Sequence, residues 1–441
     1  MRRLITALML SALLACGGAV AQPKGAKTGS EQLNLFTEAY DRIRQDAVEP
    51  VSEPKLIGAA IAGMLSGLDP RSAYINEAAF RAMQATADQD QVGLGLVLTI
   101  ENSQLKVISP QDGSPAAKAG IHPGDLIYTI DNDPTYDLTL GEADRKLRGP
   151  AGSEVQLTLR RGNGAPIKVK VKREGFELRT VTAHVEPGNI GYLRVAGFDG
   201  GTRAALAGAV EKLRQQTGNK LIGIVLDLRN NPGGNFDAAV AAADAFIDNG
   251  DIVVVKGRKP GNIKRISATP GDLAQGVPIV ALINGGTARE AELVAGGLQD
   301  NRRAVLLGTK SFGESSIENF IPLPGNGAIR LTTARFTTPS GRKIQGKGLD
   351  PNLTVTPLKL AKLTQGERLH EADLRRALKN TDPAIPGGKG TEGDSPNANA
   401  VKEREKAPSV ATAVIGSSDD EQLSQAEDVL RGLALVSGRA E

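Results

Sequence analysis

Hydroxyl and amine side chains cluster in one part of the C-terminal half, where they could support nucleophilic catalysis. Thr287, Ser311, Ser315 and Ser316 all lie near Lys310 in the sequence. A hydroxyl is a weak nucleophile until an adjacent base takes its proton, and a desolvated lysine can act as that base. Such a dyad also needs hydrogen-bond donors beside the reacting group. Because turn and surface roles are commoner for these residue types, a dyad built on Lys310 is an alternative and not the first hypothesis.

Metal and nucleic-acid chemistry have little support in the sequence. The three histidines, His122, His184 and His370, are isolated and lack the spacing of metal ligands. The chain has 53 Lys and Arg residues against 50 Asp and Glu residues and contains no Trp. This composition gives neither a strong positive field nor large stacking platforms for nucleic acid. We therefore expect no metal, no cofactor and no nucleic-acid partner.

The first residues predict export from the cytoplasm. Arg2 and Arg3 form a positive segment, and residues 4–15 form an apolar stretch that is too short to span a bilayer. Residues 19–21, Ala-Val-Ala, fit a cleavage site that would end a signal peptide of residues 1–21. The sequence therefore predicts a periplasmic or cell-envelope protein.

The only cysteine offers a second way to process the same segment. Residues 13–16, Leu-Leu-Ala-Cys, fit a lipoprotein signal that would end at residue 15 and leave Cys16 to carry a lipid. Ordinary secretion is the preferred interpretation, and contact with a membrane is expected only if Cys16 is lipidated. In either case the exported chain has no disulfide to form within itself.

Two helical patterns precede a strand-rich region in the first 175 residues. Apolar residues recur at helical spacing up to Leu68, which predicts a helical N-terminal region over residues 31–84. Strand-like patterns follow, with a short helix near residues 114–120 and a Gly-Asp turn at residues 124–125. This order of elements is similar to that of a PDZ domain over residues 85–175.

The rest of the chain alternates strands and helices before it loses regular patterning. Alternation over residues 180–360 predicts an α/β core, and the apolar run of residues 221–226 fits a strand covered on both faces. Residues 380–410 are rich in Pro, Gly, Lys and Glu and predict a flexible linker. An amphipathic helix is predicted over residues 419–437, and it must pack either on this chain or on a partner.

Three segments of the α/β region carry its most distinctive residues. They read D-L-R-N-N-P-G-G (227–234), N-G-G-T-A-R-E-A-E (284–292) and K-S-F-G-E-S-S-I-E (310–318). Together with the PDZ-like unit, they resemble the C-terminal processing (tail-specific) serine peptidases. The resemblance implies a crotonase-like α/β core with an inserted PDZ domain that binds substrate C-termini and gates the active site.

The resemblance also assigns catalytic positions, and three of them have changed. Active members carry a serine nucleophile, a lysine base and a glutamine that orients the lysine, where this chain has Arg289, Glu314 and Glu318. Arginine is no acyl nucleophile and stays protonated. Loss of a nucleophile costs about a million-fold in turnover. The residues therefore predict a pseudoprotease that retains serine-type peptidase ancestry and binds protein or peptide C-termini.

The replacements are mutually consistent in charge. A guanidinium at position 289 would repel the family's lysine, but it can pair with the carboxylate of Glu314. We predict an Arg289–Glu314 ion pair in the former dyad, with Glu318 as a second acceptor. Solvent-exposed side chains in a decayed cleft are the alternative.

The oxyanion-hole region also carries a new carboxylate. In the family, the N–H that follows the nucleophile and one N–H of the glycine loop, here Gly233 or Gly234, stabilise the oxyanion. Glu290 occupies the first of these positions, and its charge would oppose an anionic intermediate if it pointed inward. Thr287 and Glu290 have the spacing of a capping box at a helix start. The sequence leaves open whether Glu290 points inward or outward.

The PDZ-like unit contains a candidate peptide-binding loop. Its residues are Gly93, Leu94, Gly95 and Leu96, and the glycines would let a ligand approach the backbone closely. By the resemblance, this loop binds a terminal carboxylate while the peptide adds a strand to the sheet edge. The alternative is that the glycines only permit a tight entry into the strand.

Two other functions stay open at this stage. One is an active serine endopeptidase that cleaves near substrate C-termini with a relocated dyad. The other is a structural partner, in a homo-oligomer or with an active paralogue, that assembles through its terminal helices.

Overall fold

The computed structural model describes residues 29–84, 91–136, 138–259, 261–356, 415–416 and 420–437. The predicted signal segment with Cys16, His370 and the predicted linker of residues 380–410 lie outside the described residues. The chain divides into two compact units, which meet at Leu68 and Asp69 in the sequence. Within the described part of the chain, no helix is long and apolar enough to cross a membrane.

The helices are α1 (Gly29–Asp46), α2 (Glu53–Ser66), α3 (Glu77–Gln84), α4 (Pro115–Lys118), α5 (Leu140–Leu147), α6 (Thr202–Gln216), α7 (Phe236–Asp244), α8 (Glu290–Asp300) and α9 (Glu421–Val436). The strands are β1 (Ala73–Ile75), β2 (Gln91–Val92), β3 (Leu96–Glu101), β4 (Gln104–Pro110), β5 (Leu126–Ile130), β6 (Asp133–Pro134), β7 (Gly149–Pro150), β8 (Glu154–Arg160), β9 (Ile167–Lys172), β10 (Val181–Glu186), β11 (Ile190–Val195), β12 (Gly223–Asp227), β13 (Asp251–Gly257), β14 (Ile263–Ser267), β15 (Ile279–Ile283), β16 (Ala304–Gly308), β17 (Ser316–Pro322), β18 (Ala328–Thr337) and β19 (Leu353–Thr354).

The first unit is helical, and its helices expose apolar side chains. Pro54 lies in the first turn of α2, where a missing N–H leaves no helical hydrogen bond unmade, and the helix ends at Ser66. None of the residues of α1 is buried, and Leu33 and Phe36 are exposed. Packing within this unit therefore leaves an apolar face of α1 uncovered.

The predicted α/β core is a six-stranded sheet in the order β10-β11-β12-β15-β16-β19. Strands β11, β12, β15, β16 and β19 are parallel, and every residue of β11, β12 and β15 is buried. Helices α6, α7 and α8 cover one face of this sheet. The near-continuous apolar runs in the sequence reflect this burial on both faces, and the α/β prediction is confirmed.

The C-terminal helix covers the other face of the same sheet. Leu423, Ala426 and Leu430 of α9 are buried against apolar residues of the sheet. Gly223 is required in β12, because a Cβ there would lie 2.6 Å from a methyl carbon of Leu430. Burial of each leucine stabilises this contact by about 2 kcal/mol. The helix thus packs on its own chain, which answers the question that the sequence left open.

The PDZ domain forms a separate sheet with its own core. Its strands run in the order β3-β4-β5-β8-β9, and β3 lies at the edge. Helix α5 begins with a capping box, in which the Thr139 N–H donates to Glu142 and the Glu142 N–H donates to the Thr139 hydroxyl. Among the described residues, β3 pairs only with β4, which leaves its other edge available for a peptide strand.

A further sheet, which the sequence reasoning did not predict, completes the core. It has the order β1-β18-β13-β14, and β17 also pairs with β18. Strand β1 lies inside the predicted helical region of residues 31–84, yet it pairs with β18 more than 250 positions later, with Ala73 opposite Arg330. This sheet brings Arg71, just before β1, and Glu318, on β17, to one cleft.

Candidate active site

Three neighbouring parallel strands hold the three distinctive segments. Strand β12 leads into residues 228–235, β15 into residues 284–289 and β16 into residues 309–315. Because the carboxyl ends of parallel strands meet at one edge of a sheet, the loops converge there. Asn284 ties two of them together, since its side chain accepts the N–H of Asn230 at 2.9 Å and donates to the Asn230 side chain at 2.8 Å.

Arg289 stands at the turn between β15 and α8 in a strained backbone conformation. It is the residue before the first turn of α8, and its φ is 52° with a ψ of −119°. A non-glycine residue at positive φ costs about 1–3 kcal/mol and is found mostly at functional sites. Gly233 faces this turn, and a Cβ on Gly233 would lie 3.0 Å from Cβ of Arg289. The geometry of the turn therefore depends on glycine in the facing loop.

The predicted capping box at this helix is wrong. The Thr287 hydroxyl donates to the Leu228 carbonyl at 2.9 Å and so fixes the turn rather than the helix end. The carboxylate that caps the helix is Glu292, which accepts the N–H of Arg289 at 3.1 Å. The reason is that α8 begins at Glu290, two residues later than the capping box required, so Glu292 occupies the third helical position.

The carboxylate of Glu290 points inward and occupies a backbone donor. Its Oε2 accepts the N–H of Gly234 at 2.9 Å, and the residue is only 3% exposed. The N–H of Gly233 donates instead to the Asn231 side chain at 2.8 Å, so Gly234 is the donor that faces the helix. Burial raises the pKa of Glu290, although Arg289 and the Gly234 N–H act in the opposite direction.

The Arg289 guanidinium lies among three carboxylates. Its Nη2 donates to Glu318 at 3.4 Å and lies 3.6 Å from Oε1 of Glu290, while Nε lies 3.6 Å from Oε1 of Glu314. Burial alone would lower the pKa of Arg289, but the carboxylates of Glu290, Glu314 and Glu318 raise it. Arg289 therefore remains a cation at any ordinary pH.

The closest partner of Glu314 is Arg71, which the sequence reasoning missed. Nη2 of Arg71 donates to Oε2 of Glu314 at 2.5 Å, and the Glu314 side chain is 5% exposed. The predicted Arg289–Glu314 contact exists at ion-pair distance but without a hydrogen bond, so the pair is one edge of a larger network. Arg71 and Glu314 are 243 positions apart, and no spacing in the sequence could have indicated their contact.

Glu292 is a buried acceptor beneath the cleft that the sequence reasoning also passed over. It accepts the Ser311 hydroxyl at 2.5 Å and the N–H groups of Gly313 and Glu314, each at 2.8 Å. Burial raises the pKa of Glu292 to about 8, although these hydrogen bonds lower it. The residue thus joins the start of α8 to the loop after β16.

Lys310 does not form a dyad in this structure. Its Nζ lies 3.0 Å from Asp350, and its side chain is 56% exposed. The hydroxyl of Ser311 donates to Glu292, and that of Ser315 lies 3.5 Å from the Gln345 side chain. In the described part of the chain, no hydroxyl makes a hydrogen bond with Lys310, and no group of His, Cys, Asp and Glu residues could hold a metal ion.

The described histidines have local roles. The backbone N–H of His122 donates to Asp125 at 2.9 Å. The ring of His184 lies 2.7 Å from a Glu186 oxygen and 4.7 Å from the Tyr192 ring centroid.

The candidate peptide-binding loop precedes the edge strand of the PDZ domain. Leu94 is 2% exposed and belongs to the domain core, so only its backbone can face a ligand. The N–H groups of Leu94 and Gly95 donate to no acceptor within the described residues. Gly95 has a φ of 72°, and a Cβ there would lie 2.3 Å from Cβ of Ser114 and 2.7 Å from the Phe176 ring. Glycine is therefore required at position 95 by both conformation and space.

A cleft of about 400 Å³ lies between the PDZ domain and the loop that carries Glu314. On one side it is lined by Thr99 and Ile100 of the edge strand β3, and on the other by Arg71, Glu314 and Arg335. A chain held along the free edge of β3 would thus have this charged wall beside it.

Comparison with known proteins agrees with this architecture. The sequence profile described as Peptidase family S41 matches residues 189–355, and a PDZ profile matches residues 106–161. A third profile, for the N-terminal domain of the activating protease CtpB, matches residues 17–79. The carboxy-terminal-processing protease of Bartonella bacilliformis is 40% identical over 405 residues, which cover 91% of this chain and 89% of that protein.

The chain belongs to the carboxy-terminal-processing proteases of Peptidase family S41. The carboxy-terminal processing protease CtpA of Bacillus subtilis is 30% identical over 364 residues, which cover 82% of this chain and 77% of the relative. Among solved structures, a photosystem II D1 C-terminal processing protease is similar, with a TM-score of 0.65 and 29% identity over 76% of this chain and 95% of that one. The predicted membership of the C-terminal processing peptidases, with an α/β core and a PDZ domain, is therefore confirmed.

Proposed function

We propose that this S41 family member is not a protease and instead captures protein C-termini through its PDZ domain. The observation that carries the proposal is the Glu290 carboxylate on the Gly234 N–H, next to a guanidinium at position 289. The family resemblance assigns the nucleophile to position 289 and an oxyanion donor to the glycine loop. Acyl transfer needs a nucleophile and a free oxyanion donor. In this chain a guanidinium takes the place of the first, and a carboxylate occupies the second.

The proposed loss of activity does not depend on one substitution. Restoring a serine at position 289 would still leave Glu314 where the family has its lysine, and the Glu314 carboxylate is hydrogen-bonded to Arg71 rather than to the side chain at position 289. The oxyanion site would also still hold the negative charge of Glu290, which opposes a tetrahedral intermediate of the same sign. Nucleophile, base and oxyanion stabilisation are therefore all replaced.

An active protease with a relocated dyad is a weaker candidate. Its most plausible base, Lys310, is bound to Asp350 at the surface. The side chain is exposed and in the described residues makes no hydrogen bond with a hydroxyl, so it has no nucleophile to activate. A relocated dyad would have to form only after a rearrangement of this loop.

Capture of C-termini has its own support in the PDZ domain. Within the described residues the outer edge of β3 has no partner strand, and the N–H groups of Leu94 and Gly95 donate to no acceptor, so both can bind a peptide that ends in a carboxylate. Main-chain hydrogen bonds along an edge strand tolerate many sequences, so the ligand class is a free peptide C-terminus rather than one sequence.

Assembly with a second chain is a supplementary role that the helical N-terminal unit favours. Leu33, Phe36 and Ile43 are 67%, 44% and 47% exposed on α1. The predicted use of the C-terminal helix for assembly has less support, because the apolar face of α9 packs on the sheet of its own chain.

We also propose export to the periplasm or cell envelope. The proposal is supported by the positive segment, the apolar stretch and the cleavage motif of residues 1–21.

A binding experiment tests the proposal. A degenerate decapeptide library with free C-termini and the same library with amidated C-termini are each mixed with the full-length protein without its signal segment. We expect the free-carboxylate library to be retained at least ten-fold more and to be recovered uncut by mass spectrometry. Equal retention of the two libraries would contradict the peptide-binding part, and recovery of shortened peptides would contradict the non-catalytic part.

A further inference from the structure

Five charged residues of alternating sign form a continuous chain through the second unit. In order of contact they are Asp112, Arg194, Asp227, Arg229 and Asp420. The side chains of the three central residues are at most 6% exposed. Each of them depends on its neighbours, because a buried charge that loses its partner is costly.

One end of this charge chain fixes the start of helix α9. Asp420 caps the helix, since its side chain accepts the N–H of Leu423 at 3.2 Å. Arg229 donates to the two oxygens of Asp420 at 2.8 and 2.6 Å and to the Gln422 side chain at 3.0 Å. Two-pronged bonds of this kind fix orientation as well as distance. Arg229 therefore holds the N-terminal end of α9 against the core.

In the middle of the charge chain, Asp227 joins Arg229 to Arg194. Nε of Arg229 donates to both oxygens of Asp227, at 3.0 and 3.1 Å, and the Tyr192 hydroxyl donates to the same carboxylate at 2.8 Å. Nη1 of Arg194 lies 3.4 Å from Asp227 and also donates to the backbone carbonyl of Arg229. Arg194 is thus held by both the side chain of Asp227 and the main chain of Arg229.

The other end of the charge chain lies in the PDZ domain. Arg194 donates to the two oxygens of Asp112 at 2.8 and 2.9 Å, and Asp112 lies between β4 and α4. A second PDZ contact is adjacent, because the Ser109 hydroxyl donates to the carbonyl of Asn230 at 2.7 Å. Both contacts bind groups whose position depends on Arg229, the residue that precedes Asn230.

We propose that the docking of α9 controls how firmly the PDZ domain is held on the core, with Arg229 as the positioning residue that links them. Arg229 is 2% exposed while α9 covers it. Without its bond to Asp420, the guanidinium gains by turning towards water, and the main chain of residues 229–230 shifts with it. That shift withdraws the carbonyl groups that hold Arg194 and Ser109. The coupling is reciprocal, so a displaced PDZ domain also loosens α9.

The inference goes beyond the proposed function and does not require that a peptide binds. Residues 229–230 precede Gly233 and Gly234, so α9 also acts on the loop that faces Glu290. In this arrangement the C-terminal helix and the PDZ domain act on one loop from opposite ends. No direct contact between Asp112 and Asp420 is needed for their effects to be coupled.

The test measures the position of the PDZ domain in the full chain. Lys168 on the PDZ domain and Lys212 on α6 are exposed, and each is replaced by spin-labelled cysteine in a Cys16→Ser background. Double electron–electron resonance then gives the distance distribution between the two spin labels for Asp420→Asn, Asp112→Asn and the double variant. Asparagine retains the ability to cap α9, so the helix itself survives the change. Glu421→Gln is the matched control, because it removes a negative charge from the same helix turn and its side chain accepts from Gln425, not from Arg229.

We expect the displaced population to rise at least three-fold in Asp420→Asn and in Asp112→Asn, but not in Glu421→Gln. The double variant should be no more displaced than the larger single effect, because both changes break one path. If Asp420→Asn has the same distance distribution as Glu421→Gln, or if the two effects on the displaced population simply add, the proposed link through Arg229 is overturned.

Discussion

The Glu290 carboxylate accepts the backbone N–H of Gly234 at 2.9 Å, so a side chain at the start of α8 occupies a backbone donor of the facing glycine loop. A Cβ on Gly233 would lie 2.3 Å from the same carboxylate oxygen, so the loop and the side chain fit closely. Under the proposed function, a serine and a lysine restored at positions 289 and 314 would still face an oxyanion site that Glu290 occupies.

Restoring the dyad alone should fail to restore a reactive serine. The starting variant carries Arg289→Ser, Glu314→Lys and Glu318→Gln, with Arg71→Ala so that the new lysine does not face a second cation. Adding Glu290→Ala should speed labelling by a fluorophosphonate about 100-fold, which is the usual worth of an oxyanion donor. Glu290→Ala alone should not be labelled, since no nucleophile is present. Equal labelling with and without Glu290→Ala would show that this carboxylate does not block the site.

Arg71 and Glu314 should be coupled more strongly than Arg289 and Glu314. The first pair has a hydrogen bond of 2.5 Å, whereas the second has a separation of 3.6 Å without a hydrogen bond. Arg71→Met should lower the free energy of unfolding by about 3 kcal/mol, because Glu314 is buried and loses its main partner. Two double-mutant cycles with Glu314→Gln, measured by urea unfolding, compare the pairs. A larger coupling energy for Arg289 would contradict the geometry described here.

Glu292 should make the folded protein less stable as the pH rises. Burial raises its pKa from the ordinary value of 4.5 to about 8, so between these values the folded state binds more protons than the unfolded state. The free energy of unfolding therefore falls as the pH rises from about 5 to 8, by up to about 1.4 kcal/mol per pH unit from this group. Glu292→Gln has a similar shape but no proton to lose. Its stability relative to the unmodified protein should increase across this range in urea titrations, and a constant difference would contradict the assignment.

Gly95 should be essential for peptide capture in a way that another strained glycine is not. Gly95 and Gly113 both have a φ of 72°, but a Cβ at Gly95 would collide with Ser114 and Phe176, whereas nothing lies within 4 Å of a Cβ at Gly113. Gly95→Ala should weaken binding of a free-carboxylate peptide at least ten-fold in fluorescence anisotropy. Gly113→Ala carries the same backbone strain and should change the affinity less than two-fold. Similar losses in both variants would indicate general damage to the domain rather than a role for the loop.

The sequence predicted the parts of the fold that depend on local patterns. The apolar run of residues 221–226 predicted β12, and the alternation of strands and helices over residues 180–360 predicted the α/β core. The sheet of β1, β18, β13, β14 and β17 was not predicted, because its pairings join distant parts of the chain, as between Ala73 and Arg330. Strand β18 is also only partly buried. Periodicity reports the burial of a segment but not which distant segment will cover it.

The candidate site was predictable in its residues and only partly in its contacts. Charge complementarity brought Arg289, Glu314 and Glu318 together correctly, because unlike charges in one cleft attract. The contact between Arg71 and Glu314 was not predicted, because the pairing of β1 with β18 is what brings Arg71 close to Glu314. The direction of Glu290 depends on a backbone donor, Gly234, whose orientation only the folded loop determines.

The most direct measurement of the central claim is peptide hydrolysis by the unmodified protein. Mass spectrometry would follow a pool of unstructured peptides incubated with purified protein, beside the five-substitution variant of Arg71, Arg289, Glu290, Glu314 and Glu318 as the positive control. The account predicts no cleavage above buffer by the unmodified chain and measurable cleavage by the variant. Cleavage by the unmodified chain that persists after Arg289→Ala, in protein free of contaminating protease, would contradict it.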